Sequence, residues 1–215
     1  MKKIAILGES SLGIALAISI SEKGESEAWI WFRDEKSAAK TIKTRINKKH
    51  FPGVKIPETV HISPDIKEVI KNADLIINAV PSFGVRDVLM RIAGRKKRLL
   101  PPLLGLAKGI DRGSEKISSQ LFEDILGKVG VPYLHLAVKG FATEIIDGKP
   151  AVGVLASKDS DLAEEIKKIL ESPKFRVLVS DDVVGVQLSG VLKNVLAIGV
   201  GMFDATNKNP KLRKN

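Results

Sequence analysis

The feature that most constrains the fold of this chain is a regular alternation of short apolar runs with longer amphipathic stretches. Each run is rich in aliphatic and β-branched residues and is bounded by polar residues or glycine, so we predict one strand for each. These runs occupy residues 4–7, 28–32, 60–62, 73–80, 103–107, 133–138, 151–157 and 175–180. Apolar strands that alternate with helices are typical of a parallel sheet covered on both faces. We therefore predict an α/β fold with a doubly wound, mostly parallel sheet.

Residues that favour helix N-termini mark where several helices start. They are Ser10-Ser11 before Leu12, Asp34 before Glu35, Pro64 before Asp65, and Ser160-Asp161 before Leu162. After the last strand, Asp181-Asp182 precede an apolar segment from Val183 to about Ala205, which is the longest predicted helix.

The loop after the first strand has the sequence GESSLG, from Gly8 to Gly13. In the Rossmann dinucleotide-binding fingerprint, the first glycine makes a tight turn, the second lets the backbone approach a pyrophosphate, and the third lets helix pack on strand. Ser10 stands at the second position. The helix N-terminus still offers amides and a positive dipole end to an anion, so we predict a dinucleotide site here. A strand–turn–helix without a ligand is the alternative.

The end of the second strand carries Arg33 and Asp34, where a Rossmann protein contacts the adenosine ribose. An acidic residue there favours the free 2′-hydroxyl of NAD, whereas an arginine accepts the 2′-phosphate of NADP. Both types are present, and Arg33 could also be an ordinary surface residue. We favour NADP over NAD because a guanidinium fits a phosphate well.

Two lysines stand out as candidate substrate contacts. Lys108 lies just past the fifth strand, where it either meets an anionic ligand or is solvated. Lys193 belongs to a polar group in the long apolar helix, with Gln187, Ser189 and Asn194. These polar residues either satisfy helix ends and loops or form a site. If the helix is buried, the Lys193 ammonium requires a partner or a shifted pKa.

Several motifs occur together in a recognisable order: GESSLGIALA, NAVPS, LAKGI, GFATEIIDGKPAVGVLAS and GVQLSGVLKNVLAIGVGMFDA. The chain thereby resembles the NAD(P)-dependent glycerol-3-phosphate dehydrogenases, almost throughout its length to Ala205. The resemblance implies an oxidoreductase that interconverts sn-glycerol 3-phosphate and dihydroxyacetone phosphate with NAD(P)(H). It also implies a small phosphorylated substrate. Separately, the apolar run from Ile4 to Leu7 is too short for a signal peptide, so we expect a cytoplasmic location.

The resemblance implies roles for particular residues. Lys193 would be the general acid/base and would contact the substrate, Asn194 would help to orient the substrate, and Lys108 would touch both substrate and cofactor. The residues implied in cofactor binding are Gly8, Ser10, Ser11, Leu12, Gly13, Arg33, Lys108 and Ala142. No metal site is implied.

Three departures from the family pattern leave alternatives open. Ser10 replaces the middle glycine, and AVKGFA stands where the family has a segment like SGPSFA, so that Val138 replaces its glycine and Gly140 its Ser/Thr. The family also continues into a helical domain that holds the substrate phosphate. We expect residues 1–180 to form the dinucleotide-binding domain and residues 181–215 to be a remnant of that helical domain. The alternatives are a truncated, non-catalytic dinucleotide-binding or interaction module, and a related Rossmann reductase of another small anionic ketone.

Composition excludes several classes of function. The absence of cysteine excludes disulfides, thiolate metal sites and cysteine nucleophiles. A net charge of +10 raises the question of nucleic acid, but the basic groups at 43–49, 95–98 and 208–214 are scattered and aromatic residues are few, which argues against it. The polar residues of the long helix argue against a membrane span. An uncovered apolar face on that helix would favour a homodimer.

Overall fold

The computed structural model describes residues 1–94, 100–139 and 142–206. All eight predicted strands are present: β1 (Lys2–Leu7), β2 (Ser26–Trp31), β3 (Val60–Ser63), β4 (Leu75–Asn78), β5 (Leu103–Gly105), β6 (Tyr133–Lys139), β7 (Ala151–Ser157) and β8 (Phe175–Ser180). The helices are α1 (Ser11–Glu22), α2 (Glu35–Thr44), α3 (Ile66–Ile70), α4 (Val85–Ala93), α5 (Ser118–Leu126), α6 (Ala142–Ile146), α7 (Ser160–Leu170) and α8 (Val183–Thr206). The basic groups at 95–98 and 208–214, and Gly140, lie outside the described residues.

The eight strands form one sheet in the order β3-β2-β1-β4-β5-β6-β7-β8. All neighbouring pairs from β3 to β6 are parallel, β7 is antiparallel to β6, and β8 is parallel to β7. The order 3-2-1-4-5-6 is that of a Rossmann fold, so the predicted doubly wound, mostly parallel sheet is confirmed. The chain changes direction across the sheet between β1 and β4, and ligands of such sheets bind in the crevice at this point.

The core lies on both faces of the sheet, and β1 shows why. Its side chains alternate, so that Ile4 and Ile6 join the apolar cluster under α1 while Ala5 and Leu7 join the cluster under α4 and α5. All four are fully buried. A strand that is apolar on both sides must be covered on both sides, which is the physical basis for the prediction from the sequence.

Two predicted helix starts are confirmed and two differ in the capping residue. Ser10 Oγ accepts a hydrogen bond from Gly13 N at 3.1 Å, and Asp34 Oδ1 accepts one from Ser37 N at 2.6 Å. For α3 the cap is Asp65 itself rather than the preceding residue. For α7 the cap is Asp159, whose carboxylate accepts from Leu162 N at 3.0 Å. This extended aspartate places its oxygen over the first turn, so Ser160 begins the helix.

Helix α8 contacts the rest of the protein through its first turns. Val183 and Gln187 are buried, whereas every residue from Leu192 to Thr206 is exposed. Gln187 holds the helix in place, because its Oε1 accepts from Ser119 N at 3.0 Å and its Nε2 donates to Ser119 Oγ at 2.8 Å. Gln187 thus satisfies an amide in the first turn of α5, where helices lack internal acceptors. The interpretation that this polar residue serves a neighbouring helix end is confirmed.

Two expectations about α8 need correction. The helix is not otherwise buried, because no described element packs over it beyond Val191. Its polar residues also do not exclude a membrane span by themselves. With 24 residues and a mean hydropathy of 1.7 over its most apolar window, α8 is long and apolar enough to cross a membrane by length and composition alone.

Candidate active site

The loop between β1 and α1 fits closely against the end of β4. Gly8 has φ +113°, and a Cβ there would lie 2.8 Å from Val80 Cγ1 and 3.1 Å from Val80 N. At Gly13, a Cβ would lie 2.8 Å from the Gly8 carbonyl oxygen and 2.9 Å from Ala79 Cβ. Only glycine fits at either position without displacing backbone. The first glycine therefore makes the turn and the third permits close packing of α1, as the fingerprint requires.

Ser10 occupies the middle position without strain. Its backbone is extended, at φ −68° and ψ 160°, and its hydroxyl is hydrogen-bonded to the Gly13 amide. In the described part of the chain, the amides of Ser11 and Leu12 donate to no protein acceptor. Two unpaired amides at the positive end of a helix dipole can bind an anion such as a pyrophosphate. These residues fit a dinucleotide although the middle glycine is absent.

A cleft of about 210 Å³ extends from this loop across the ends of β1, β2 and β4. It contains the predicted residues Gly8, Ser10 and Arg33. Sequence reasoning missed the other lining residues, among them Lys49, His50 and Phe83. The basic run before Phe51 and the large apolar residue that follows NAVPS were the available signals. Phe83 is 76% exposed at the edge of this cleft.

The charges around this cleft favour an anion at the end of β2. Asp34 caps α2, and Glu9 accepts a hydrogen bond from Ser37 Oγ at 2.9 Å, so both carboxylates are bound at the start of α2. Arg33 is exposed beside the cleft. Partial burial and the neighbouring Lys49 ammonium lower the pKa of His50.

A larger cleft, of about 540 Å³, lies beside the later turns of α1 and next to α6. It contains none of the predicted site residues. Its lining includes Ile18, Lys55, Ile145 and Lys174. The position of the glycine-rich loop, rather than cleft size, therefore decides which cleft is the candidate site.

Lys108 lies at the other side of the crevice, just after β5. Its Nζ donates to the Val138 carbonyl oxygen, at the end of β6, at 3.1 Å. Helix α8 passes close by, since a Cβ on Gly190 would lie 3.8 Å from Lys108 Cγ. Partial burial and the nearby Lys193 ammonium lower the pKa of Lys108. The structure therefore brings Lys193 near enough to Lys108 to influence the charge of Lys108, although 85 residues separate them in sequence.

The remaining predicted site residues are Lys193, Asn194 and Ala142. Lys193 is exposed rather than buried, because α8 is uncovered at this point, so the requirement for a buried partner does not arise. Asn194 is exposed beside it. Ala142 begins α6, which packs against α1, and its side chain meets the apolar core there.

An ion pair that sequence reasoning missed holds the loop after Lys108. Arg86, on α4, donates from Nη2 to Asp111 Oδ2 at 2.9 Å and to Ser114 Oγ at 2.8 Å. Hydrogen bonds from Arg86 and Ser114 keep the pKa of Asp111 below its usual range. Asp111 is buried, and its hydrogen bonds to Arg86 and Ser114 fix the conformation of the loop that follows β5.

Strand β6 carries a partly buried tyrosine and a buried histidine close to Lys108. Tyr133 and His135 share a hydrogen bond of 3.1 Å between the hydroxyl and Nδ1. Burial and the Lys108 ammonium lower the pKa of His135 to about 4, so its ring is neutral at pH 7. Burial also raises the pKa of Tyr133. A side chain at Gly105 of β5 would overlap the Tyr133 hydroxyl, which explains the glycine there.

The sheet order and the glycine-rich loop at the β1/β4 crevice define a protein of the Rossmann dinucleotide-binding class. Comparison with known proteins narrows this class. Residues 3–163 match the family model described as NAD-dependent glycerol-3-phosphate dehydrogenase N-terminus, and residues 182–213 match that of the C-terminus. This chain belongs to the NAD-dependent glycerol-3-phosphate dehydrogenase family.

Individual relatives agree with this assignment. A glycerol-3-phosphate dehydrogenase [NAD(P)+] of Dechloromonas aromatica is 36% identical over 202 residues, which are 94% of this chain and 60% of the relative. One of Halothermothrix orenii is 34% identical, over 94% of this chain and 58% of the relative. The crystal structure of glycerol-3-phosphate dehydrogenase from Coxiella burnetii superposes with a TM-score of 0.86 at 29% identity, covering 98% of this chain and 63% of that one.

The chain thus spans about 60% of the length of the curated relatives it matches. Helix α8 falls in the segment that matches the C-terminal family model.

Proposed function

We propose that this chain binds NADP or NAD in the β1/β4 crevice and takes part in the interconversion of sn-glycerol 3-phosphate and dihydroxyacetone phosphate. The observation that carries the proposal is the passage of α8, which carries Lys193, close to Lys108 beside a crevice with two unpaired helix amides. Family membership supports the choice of reaction, and the cysteine-free composition suits a reducing compartment such as the cytoplasm.

The cofactor contacts follow from the geometry of the loop. Gly8 and Gly13 let the backbone come close, and the amides of Ser11 and Leu12 would bind the pyrophosphate, while Ser10 keeps α1 capped. Arg33 would bind a 2′-phosphate, and since Asp34 is engaged at α2, we propose a preference for NADP. Ala142 would lie against the bound dinucleotide. When bound, the nicotinamide supplies the hydride acceptor or donor.

The two lysines would handle the substrate. In oxidation, Lys193 would take the proton of the C2 hydroxyl of glycerol 3-phosphate while the hydrogen on C2 passes as hydride to the oxidised nicotinamide, and in reduction Lys193 would return that proton. Lys108 would hold the substrate oxygens, and the Asn194 amide would orient them. The Lys193 ammonium contributes to the lowered pKa of Lys108, so the two side chains are close enough to act on one substrate.

A second candidate function is a dinucleotide-binding module without catalysis. It is favoured by the exposure of Lys193 and of α8 beyond Val191, since in the described residues no element forms the far wall of a substrate site. We place the boundary between residues 1–180 and 181–215, because α8 adds only its first turns to the Rossmann core. On this view, residues 181–215 would complete a substrate site only when another part of a protein covers α8.

One assay separates the two functions. NADPH absorbance is followed with dihydroxyacetone phosphate for the wild type, for Lys193→Ala and for Lys158→Ala, an exposed lysine in the loop before α7 that serves as control. The enzyme proposal expects turnover in wild type and control and a loss of at least about 100-fold in Lys193→Ala. NADPH binding, titrated by fluorescence, should be equal in all three.

The other outcomes decide against the proposal in different ways. Binding of NADPH without turnover in the wild type refutes the enzyme and leaves the module. Failure to bind either NADPH or NADH refutes both functions. Equal turnover in wild type and Lys193→Ala refutes the assignment of the proton to Lys193.

A further inference from the structure

The larger cleft beside α1 has no part in the proposed function. Its volume of about 540 Å³ lies within the roughly 300–1,000 Å³ that is usual for small-molecule sites. Its walls are the later turns of α1, the segment before β3, the end of α6 and the turn before β8. We call it the α1/α6 cleft. In the described part of the chain it shares no lining residue with the cleft at the glycine-rich loop, so a ligand in it would not occupy the cofactor site.

The apolar part of the lining is aliphatic. It consists of Ala15 and Ile18 on α1, Val54, and Ile145 and Ile146 on α6. The two α1 residues are buried, and the other three are partly buried against the main core. Among the described residues no aromatic side chain lines the cleft, so no ring there can stack on a nucleobase. The lining therefore fits a hydrocarbon chain better than a nucleotide.

The polar part of the lining is mainly basic. Lys23, Lys55 and Lys174 line the cleft, and Glu22 is the single carboxylate among the described lining residues. An adjoining cleft of about 780 Å³ adds three cations and two carboxylates: Lys167, Lys168, Arg176, Glu25 and Glu171. An excess of positive charge around a concave surface raises the local concentration of anions. The charges therefore favour a ligand with an anionic group.

The three lysines of the α1/α6 cleft differ in what they bind. Lys23 Nζ donates to three carbonyl oxygens at the end of α7, among them that of Glu171 at 2.9 Å, and so caps that helix. Among the described residues, the ammonium groups of Lys55 and Lys174 form no hydrogen bond or ion pair. These two lysines are therefore available to an anion.

Gly148 makes room for Lys174 beside the cleft. Gly148 has φ +64°, and a Cβ there would lie 2.8 Å from Lys174 Nζ and 3.2 Å from its Cδ. The lysine side chain thus lies against the backbone just after α6, the helix that supplies two residues of the apolar lining. A cation and an aliphatic surface are adjacent here, which is the arrangement that an amphipathic anion requires.

We propose that the α1/α6 cleft binds an aliphatic carboxylate. Its anionic group pairs with Lys174 and Lys55, and its hydrocarbon chain lies on the aliphatic part of the lining. The inference does not rest on the proposed function, because the cleft contains none of the residues assigned to cofactor or substrate.

The test uses octanoate as the probe, with acetate and octanol as matched controls. Binding to the full chain is followed by two-dimensional amide NMR. The proposal expects saturable binding of octanoate, with shifts in α6 and the later turns of α1. Acetate has the charge without the chain and octanol has the chain without the charge, so each should bind at least about tenfold more weakly.

Two charge reversals separate the cleft from general attraction. Lys174→Glu changes the lining, whereas Lys158→Glu makes the same change in net charge at an exposed lysine that lines neither basic cleft. We expect the affinity for octanoate to fall at least about fivefold in the first variant and less than about twofold in the second. Circular dichroism checks that both variants are folded, as expected for exposed positions.

Several results would overturn the proposal. They are the absence of saturable octanoate binding, equal affinities for octanoate and acetate, equal weakening in the two variants, and shifts confined to α8 or to the β1/β4 crevice. Failure to bind NADPH would refute the proposed function and leave this inference standing.

Discussion

The β1/β4 crevice and helix α8 differ in how closely they pack against the rest of the protein. In the crevice, Gly8 and Gly13 have backbone atoms within about 3 Å of any added side chain, and core lies on both faces of the sheet. Along α8, contacts end after the first turns, and the rest of the helix is exposed. The difference teaches that close packing fixes the crevice on every side, whereas only the first turns of α8 are held by the described residues.

The largest effect expected is at Gly8. Gly8→Ala places a Cβ 2.8 Å from Val80 Cγ1 and against rigid backbone, at a φ that alanine disfavours, so we expect a loss of about 3 kcal/mol in the free energy of unfolding. NADPH binding should be lost as well. Urea unfolding and NADPH fluorescence titration measure the two effects.

Gly24 provides the matched control. It also has a positive φ, +71°, but a Cβ there would have no neighbour within 4 Å. Gly24→Ala should therefore cost only about 1 kcal/mol and leave NADPH binding unchanged. If the two substitutions prove equally mild, the crevice is not the closely packed region described above.

The second prediction concerns pH. The folded protein keeps His135 neutral to a pKa of about 4, whereas the unfolded chain takes up a proton near pH 6.5. Since the unfolded state binds more protons between these values, stability falls as the pH drops from 6.5 to 4, by about 3 kcal/mol at most.

His135→Gln should remove this part of the acid sensitivity, even if it lowers stability at pH 8 through loss of the contact with Tyr133. The free energy of unfolding is measured from pH 4 to 8 for both proteins. Parallel curves would show that His135 is not the group responsible.

The third prediction tests how α8 is attached. Gln187→Leu leaves the Ser119 amide without its acceptor and removes the bond to the Ser119 hydroxyl, so we expect a loss of about 1–2 kcal/mol. Amide hydrogen exchange in the first turns of α8 should quicken. Ser189→Ala is the control, since that exposed hydroxyl bonds only within its own helix. Unchanged exchange in Gln187→Leu would mean that apolar contacts alone hold α8.

The smallest effect is expected at the outer end of the crevice. Arg33→Ala should weaken NADPH binding about tenfold and leave NADH binding unchanged, because only NADPH carries the 2′-phosphate. Lys36→Ala, an exposed lysine in the first turn of α2, should change neither affinity. Binding of NADH equal to or tighter than that of NADPH by the wild type would refute the preference for NADP.

Part of the site could be predicted from sequence because its residues are neighbours in the chain. Gly8, Ser10 and Gly13 lie in one loop whose spacing matches the dinucleotide-binding fingerprint, and Arg33 lies just after strand β2. Lys49, His50 and Phe83 were missed because they reach the cleft from separate segments. The ion pair of Arg86 with Asp111 was missed for the same reason, since 25 residues separate the partners.

The sequence by itself determined the strands, the doubly wound sheet and the glycine-rich turn, because apolar periodicity and the conformational needs of glycine are local properties. Only the tertiary structure decided that Ser10 caps α1, that Asp34 is engaged at α2, and that α8 passes close to Lys108. It also decided that α8 is exposed beyond Val191, whereas its apolar sequence suggested burial. Burial depends on what lies next to a surface, and the composition of a helix does not state what covers it.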